Sequence, residues 1–137
     1  VSTAGRYLTP RDRRGLPASV LVFDFLPAHQ LGGLIDASLI HGGEGTVQTA
    51  CASGVPFAGI GMQMEQKLNI EECVDFGNAL AFTMRDIRRH KIPSLVERLL
   101  TDATLRRRAR ELAALMQGTD GARRSAEVIL RFLDDRQ

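Results

Sequence analysis

Short apolar runs punctuate the first half of the chain, and helical spacing takes over in the second. Val20-Leu21-Val22-Phe23 is an apolar run bounded by turn residues, which predicts a strand buried on both faces. Ala37 to Ile40 reads as the end of a buried strand, and Val55 to Ile60 as a third buried strand. Val1 to Ala4 reads as the end of another strand with Gly5 as its turn, and Asn78 to Phe82 as a short strand or extended connection. Arg6 to Ser19 is polar, holds Pro10, Gly15 and Pro17, and predicts a loop. Short helices are expected over His29 to Ile35 and Thr46 to Ala52, the latter stopped by Gly54 with Pro56 after it. Gly61 to Gln66 reads as a loop. Leu68 to Phe76 is amphipathic, with Leu68, Cys73, Val74 and Phe76 near one face, and ends at Gly77. Pro93 at N1 opens a helix striped by Leu95, Val96, Leu99 and Leu100. Thr101 or Asp102 caps the next helix, which carries Leu105, Ala109, Leu112 and Met116 and stops at Gly118. Ala122 to Leu133 is the last. Strands alternating with helices predict an α/β fold, a parallel sheet flanked by helices. Ligands of such sheets lie at the carboxyl ends of the strands. Phe25 to Ala28, His41 to Thr46 and Met64 to Gln66 are expected at that edge.

The richest candidate chemistry is His41-Gly42-Gly43-Glu44-Gly45-Thr46, set between an apolar run and a helix start. Glycines allow close backbone approach, and a helix N-terminus presents free N–H groups and a positive dipole end to an anion. His41 and the Thr46 hydroxyl can donate to phosphate oxygens. The spacing is neither the G-x-G-x-x-G of a dinucleotide site nor a P-loop. The alternative is a turn that needs glycine only for tight packing.

Composition narrows the class. The 137 residues suffice for one domain and one core, at 44% hydrophobic and 25% charged. A net charge of +2 gives no footprint for nucleic acid. No apolar run reaches the length of a membrane span. Cys51 and Cys73 lie in helical patterns without metal-ligand spacing. They read as buried thiols of a reducing compartment, the cytoplasm. The absence of an initiator methionine suggests a fragment of a longer chain.

The ordered set Phe25-Leu26-Pro27, His41-Gly42-Gly43-x-Gly45-Thr46, Gly54-Val55-Pro56, Glu65-Gln66 and Asn69 resembles the carboxyl-terminal, donor-binding domain of nucleotide-sugar glycosyltransferases. These enzymes have two Rossmann-like domains, the GT-B fold. Bacterial natural-product and macrolide glycosyltransferases look closest. The resemblance implies a single, incomplete domain over 1–137 that lacks its first strand.

By that resemblance His41, Gly42, Gly43, Gly45 and Thr46 meet the donor diphosphate. Phe25 stacks on the base where the family often has tryptophan, unless it is simply core. Pro27 and Ala28 lie along the base edge, where the family often has glutamine at the Ala28 position. Glu65 and Gln66 hold donor sugar hydroxyls, unless they are solvated residues at a helix start. Glu44 faces solvent. Thr49 stands where many relatives carry a ribose-gripping glutamate. A carboxylate suits a vicinal diol that deoxyribose lacks, so threonine favours a TDP-sugar, while Glu65-Gln66 favours a hexose with several free hydroxyls.

The implied reaction transfers a hexose or deoxyhexose from a UDP- or TDP-sugar to a small-molecule acceptor hydroxyl, by direct displacement with inversion and without metal or other cofactor. The acceptor site and catalytic base belong to an amino-terminal domain absent here, so this chain holds no catalytic residue and transfers no sugar alone. Two other readings use the same turn: a nucleotide-sugar epimerase of similar build, and a non-catalytic donor-binding subunit. His41, Thr46 and Glu65-Gln66 argue against the latter, because a scaffold needs none of them.

Overall fold

A computed structural model describes Thr3, 5–118 and 120–134. The chain divides into two compact units, Val1–Gln30 and Leu31–Gln137.

The first unit contains a 3₁₀ turn at Gly5–Tyr7, helix α1 (Pro10–Arg14) and a 3₁₀ turn at Ala28–Gln30. Helix α1 corrects the expected loop over Arg6 to Ser19. It starts because Thr9 and Asp12 cap each other: the Thr9 N–H donates to the Asp12 carboxylate at 2.8 Å, and the Asp12 N–H to the Thr9 hydroxyl oxygen at 3.3 Å. Arg13 donates to the Gly5 carbonyl and to Asp24, each at 2.8 Å. The strand expected at Val20 to Phe23 is also corrected. Only an isolated β-bridge at Val22 forms there, and Leu21 stays 56% exposed. A strand buried on both faces needs a ladder and two covering layers. Among the described residues this run has one backbone bond to a distant segment, from the Gly5 N–H to the Phe23 carbonyl at 3.1 Å. The strand end expected at Val1 to Ala4 lies, but for Thr3, outside the described residues. The helix expected at His29 to Ile35 shrinks to the turn at Ala28–Gln30, because Gly32-Gly33 follows and Gly33 adopts φ +78°.

The second unit is the α/β layer structure. Strands β1 (Ser38–His41), β2 (Phe57–Ile60) and β3 (Ala79–Ala81) form a parallel sheet in the order β1-β2-β3. The register pairs Ser38 with Phe57 and Phe57 with Ala79. Helices α2 (Glu44–Ala52) and α3 (Met64–Phe76) make the two crossovers. Both begin earlier than expected, by two and four residues. Helices α4 (Met84–Arg88), α5 (Ile92–Thr101), α6 (Ala103–Gln117) and α7 (Gly121–Asp134) follow. Helix α4 falls in the helical second half of the chain, and Thr83-x-x-Asp86 starts it with the same mutual cap as in α1. Asp102 caps α6 by accepting from the N–H groups of Thr104 and Leu105.

Adjacent residues of the central strand feed two cores, as the two-residue strand period requires. Phe57 packs with Val47, Ala50, Cys51, Cys73 and Ala79. Ala58 packs with Leu80, Leu99 and Leu105. Both Phe57 and Ala58 are fully buried, as the continuous apolar run at 55–60 predicts. Helix α6 serves both layers, with Leu105 in one and Leu112 and Met116 against the other. Helix α7 buries none of its described residues. No described helix is long and apolar enough to cross a membrane.

Candidate functional site

Parallel neighbours put the carboxyl ends of β1 and β2 side by side, so the starts of α2 and α3 meet there. His41 ends β1, and Gly43 is the N-cap of α2. Glycine has no side chain to cap with, and none does so. The positive end of α2 is therefore open at Glu44 and Gly45. The N–H groups of Thr46 and Val47 turn inward to the Gly43 carbonyl, at 3.0 and 2.9 Å. The half-buried Thr46 thus keeps its hydroxyl, rather than its backbone N–H, for a ligand.

The glycines of the turn have different physical reasons. A Cβ on the buried Gly42 would strike the Gln66 carbonyl oxygen and come within 2.7 Å of Ile70 Cδ1. Gly42 is therefore glycine because α3 lies on it. A Cβ on Gly43 would come 2.9 Å from His41 Nε2, so the imidazole of the exposed His41 folds over this residue. A Cβ on Gly45 would meet nothing within 4 Å. Gly45 sits in the first turn of a helix, where glycine costs up to about 1 kcal/mol relative to alanine. No packing among the described residues requires it.

Helix α3 supplies the other half of the site. Its N-cap, Gln63, makes no side-chain cap bond, and Glu65 and Gln66 occupy the first turn. Both residues, expected at the end of a loop, thus sit on a rigid element. The Gln66 side-chain oxygen accepts from the Met62 N–H at 3.0 Å, which leaves its NH₂ to donate. Asn69 donates from one nitrogen to the Gly42 carbonyl at 2.9 Å and to a Glu65 carboxylate oxygen at 3.2 Å. In sequence Asn69 belongs to the motif set without a role of its own. Its place one helical turn after Glu65 is the signal that links the two.

Thr49 lies one turn along α2 from Gly45, and its hydroxyl donates to the Gly45 carbonyl at 2.8 Å. The oxygen lone pairs remain as acceptors. Glu44 is exposed, as expected, and accepts from Gln48 at 3.2 Å. His41, Gly42, Gly43, Gly45, Thr46, Thr49, Glu65 and Gln66 all belong to the second unit, at or beside the carboxyl edge. Phe25, Pro27 and Ala28 belong to the first unit. Phe25 is 75% exposed, so its ring is not core. Pro27 accepts from the Gln30 N–H at 2.9 Å and so closes the turn that Ala28 opens.

Charge divides the edge by function. The open N-terminus of α2 attracts an anion. At α3 the Glu65 carboxylate repels an anion and accepts from hydroxyls. A phosphate beside α2 and a polyol beside α3 satisfy both. Among the described residues no group of three or more His, Cys, Asp or Glu could hold a metal ion.

Known proteins are similar to this chain in sequence and fold. The model of the erythromycin biosynthesis protein CIII-like C-terminal domain matches residues 8–132. A PGL/p-HBAD biosynthesis glycosyltransferase of Mycobacterium tuberculosis is 31% identical over 112 residues, covering 82% of this chain and 25% of that protein. Oleandomycin glycosyltransferase of Streptomyces antibioticus is 26% identical over 125 residues, covering 91% and 29%. The crystal structure of the calicheamicin glycosyltransferase aligns with a TM-score of 0.81 at 26% identity, covering 94% of this chain and 34% of that one. The chain thus spans about a quarter of the length of the curated relatives it matches. It belongs to the family of erythromycin biosynthesis protein CIII-like C-terminal domains and has the α/β fold of the C-terminal half of GT-B glycosyltransferases.

Proposed function

We propose that the carboxyl edge of the sheet binds the donor of a glycosyl transfer, a UDP- or TDP-sugar. The observation that carries this reading is Gly45. It is a glycine in a helical first turn with empty space where a Cβ would stand, beside an uncapped N-terminus. A diphosphate drawn up to the backbone N–H groups gives that glycine its reason. His41 and the Thr46 hydroxyl donate to the same oxygens. As the sugar bond breaks, charge grows on the departing diphosphate, and these donors stabilise it. Glu65 accepts from sugar hydroxyls, and the free Gln66 amide donates to one.

Within the first unit, the exposed Phe25 ring has a face of the kind that stacks on a base. Thr49 in place of a carboxylate removes the group that would grip a ribose diol, which favours TDP over UDP. The acceptor is a small natural product, as the names of the oleandomycin and calicheamicin relatives suggest. Its hydroxyl attacks the anomeric carbon from the face opposite the diphosphate and inverts that centre. The base that deprotonates it comes from an acceptor-binding domain in the longer protein, and the donor half needs no metal.

Titration of the 137-residue chain with UDP, TDP and GDP, followed by backbone amide NMR, tests the reading. Shifts at 42–46, larger with TDP than with UDP, are expected. Comparable affinity for UDP and TDP would remove the argument from Thr49. Absence of shifts at 42–46, in this chain and in the full-length protein, would sink the donor site.

A further inference from the structure

The cysteines play no part in the proposed donor site, yet they touch each other. Cys51 lies in the last turn of α2 and Cys73 in the last turn of α3. Both are unbonded thiols, and their sulfurs are 3.7 Å apart. The fully buried Asn78 joins them, its Nδ2 donating to Cys51 Sγ at 3.7 Å. Among the described residues Asn78 Oδ1 has no hydrogen-bond partner. A thiol packed as a small hydrophobe needs no such neighbour, and a buried amide on a neutral sulfur is poorly satisfied. An amide N–H and a facing S–H are what a thiolate at Cys51 requires.

The electrostatics distinguish the two sulfurs. The facing Cys73 thiol draws Cys51 down to about 7 against the opposing effect of burial, and Asn78 adds to the lowering. Cys51 and burial push the Cys73 thiol up. The Asn78 amide donates to Cys51, which makes Cys51 the sulfur that ionises, and Cys73 keeps its proton. Both cysteines are buried, at 6% and 8% exposure, which restricts the reagent to a molecule as small as hydrogen peroxide.

We propose that Cys51 and Cys73 are an oxidative modification site, a dithiol that a hydroperoxide converts to an intrachain disulfide. The Cys51 thiolate attacks a peroxide oxygen and the O–O bond breaks. Cys51 becomes a sulfenic acid, and the departing hydroxide takes up the proton that Cys51 released, forming water. The Cys73 sulfur then attacks the Cys51 sulfur. The S–S bond forms as the S–O bond breaks, and the second hydroxide leaves with the Cys73 proton as another water. The two sulfurs lose two electrons, which reduce one hydrogen peroxide to two waters. A disulfide of about 2.0 Å requires the sulfurs to close by about 1.7 Å. The product ties α2, which carries the glycine turn, to α3, which carries Glu65 and Gln66.

The test is mass spectrometry of the folded chain after graded hydrogen peroxide, quenching, unfolding and alkylation. Expected is joint loss of both thiols, a mass lower by two hydrogens, a linked peptide pair containing Cys51 and Cys73, and reversal by dithiothreitol. Cys73→Ser should leave a sulfenic acid at Cys51 that a 1,3-dione traps. Cys51→Ser should leave the Cys73 thiol intact at the same dose. Disulfides between molecules, oxygen addition at one cysteine without the linked pair, or two thiols that both remain alkylatable would overturn the proposal. The unsubstituted chain decides by itself if either variant fails to fold.

Discussion

The side-chain amide of Asn69 donates to the carbonyl of Gly42 across 2.9 Å, twenty-seven residues earlier in the chain. The same nitrogen reaches Glu65 at 3.2 Å. One side chain therefore holds the glycine turn to the helix bearing the proposed sugar residues. Asn69→Ala is expected to cost about 1 kcal/mol in urea unfolding, the net worth of a partly buried hydrogen bond. It should also weaken nucleoside diphosphate binding at the loosened turn. Asn69→Asp should do worse at neutral pH, since it loses the donor and sets a second carboxylate beside Glu65. Equal diphosphate affinity in all three proteins would show that the bond does not position the turn.

Gly42 and Gly45 should respond to alanine with opposite signs of stability. Gly42→Ala forces a methyl into the Gln66 carbonyl and Ile70, so a loss of about 1–3 kcal/mol is expected. Gly45→Ala meets open space in a helical turn and should gain up to about 1 kcal/mol. The gain should come with weaker diphosphate binding, because the methyl occupies the ligand's approach. Denaturant melts and nucleotide titration of both variants separate packing from binding.

Ile70 fills the space that two glycines leave. A Cβ on Gly59 in β2 would come within 2.7 Å of it, the same distance as from Gly42, which follows the neighbouring strand. The side chain is 2% exposed. Ile70→Ala should cost about 2–5 kcal/mol. The upper part of that range is expected, because neither glycine has a side chain to collapse into the cavity. Guanidinium unfolding measures it.

Acid should release the cap of α4. The Thr83 hydroxyl, then the Thr83 N–H, and more weakly Lys91, hold the Asp86 carboxyl below its ordinary value of 3.8. A carboxyl depressed in the folded state binds protons more readily when unfolded. Its stabilisation is therefore complete above the ordinary value and lost as pH falls through the folded one. The Thr83 amide resonance should titrate with a midpoint below 3.8, with fraying of α4 below it. Asp86→Asn should abolish that titration.

Local signals in the sequence are well honoured. Gly54 and Gly77 stop their helices with φ of +73° and +93°, and Asp102 caps α6. The runs at 37–40 and 55–60 become neighbouring strands, and the α/β alternation follows. These features depend on backbone conformation and on residues a few positions apart. The mutual caps at Thr9 and Thr83 are equally local, and the polar, proline-bearing run around Thr9 reads as a loop in spite of its cap.

Burial and long-range contact were not legible in the same way. Val20-Leu21-Val22-Phe23 has the composition of a buried strand, but burial requires partners that no run specifies by itself. The sequence alone determined which backbone segments could bend, stop or present N–H groups, because those preferences are set by neighbours along the chain. Only the tertiary structure decided that Gly42 makes room for α3 while Gly45 stays open, that Asn69 bridges two elements, and that Cys51 and Cys73 face each other. Each of these depends on how closely helices settle on a parallel sheet, and that distance is fixed by side chains far apart in the chain.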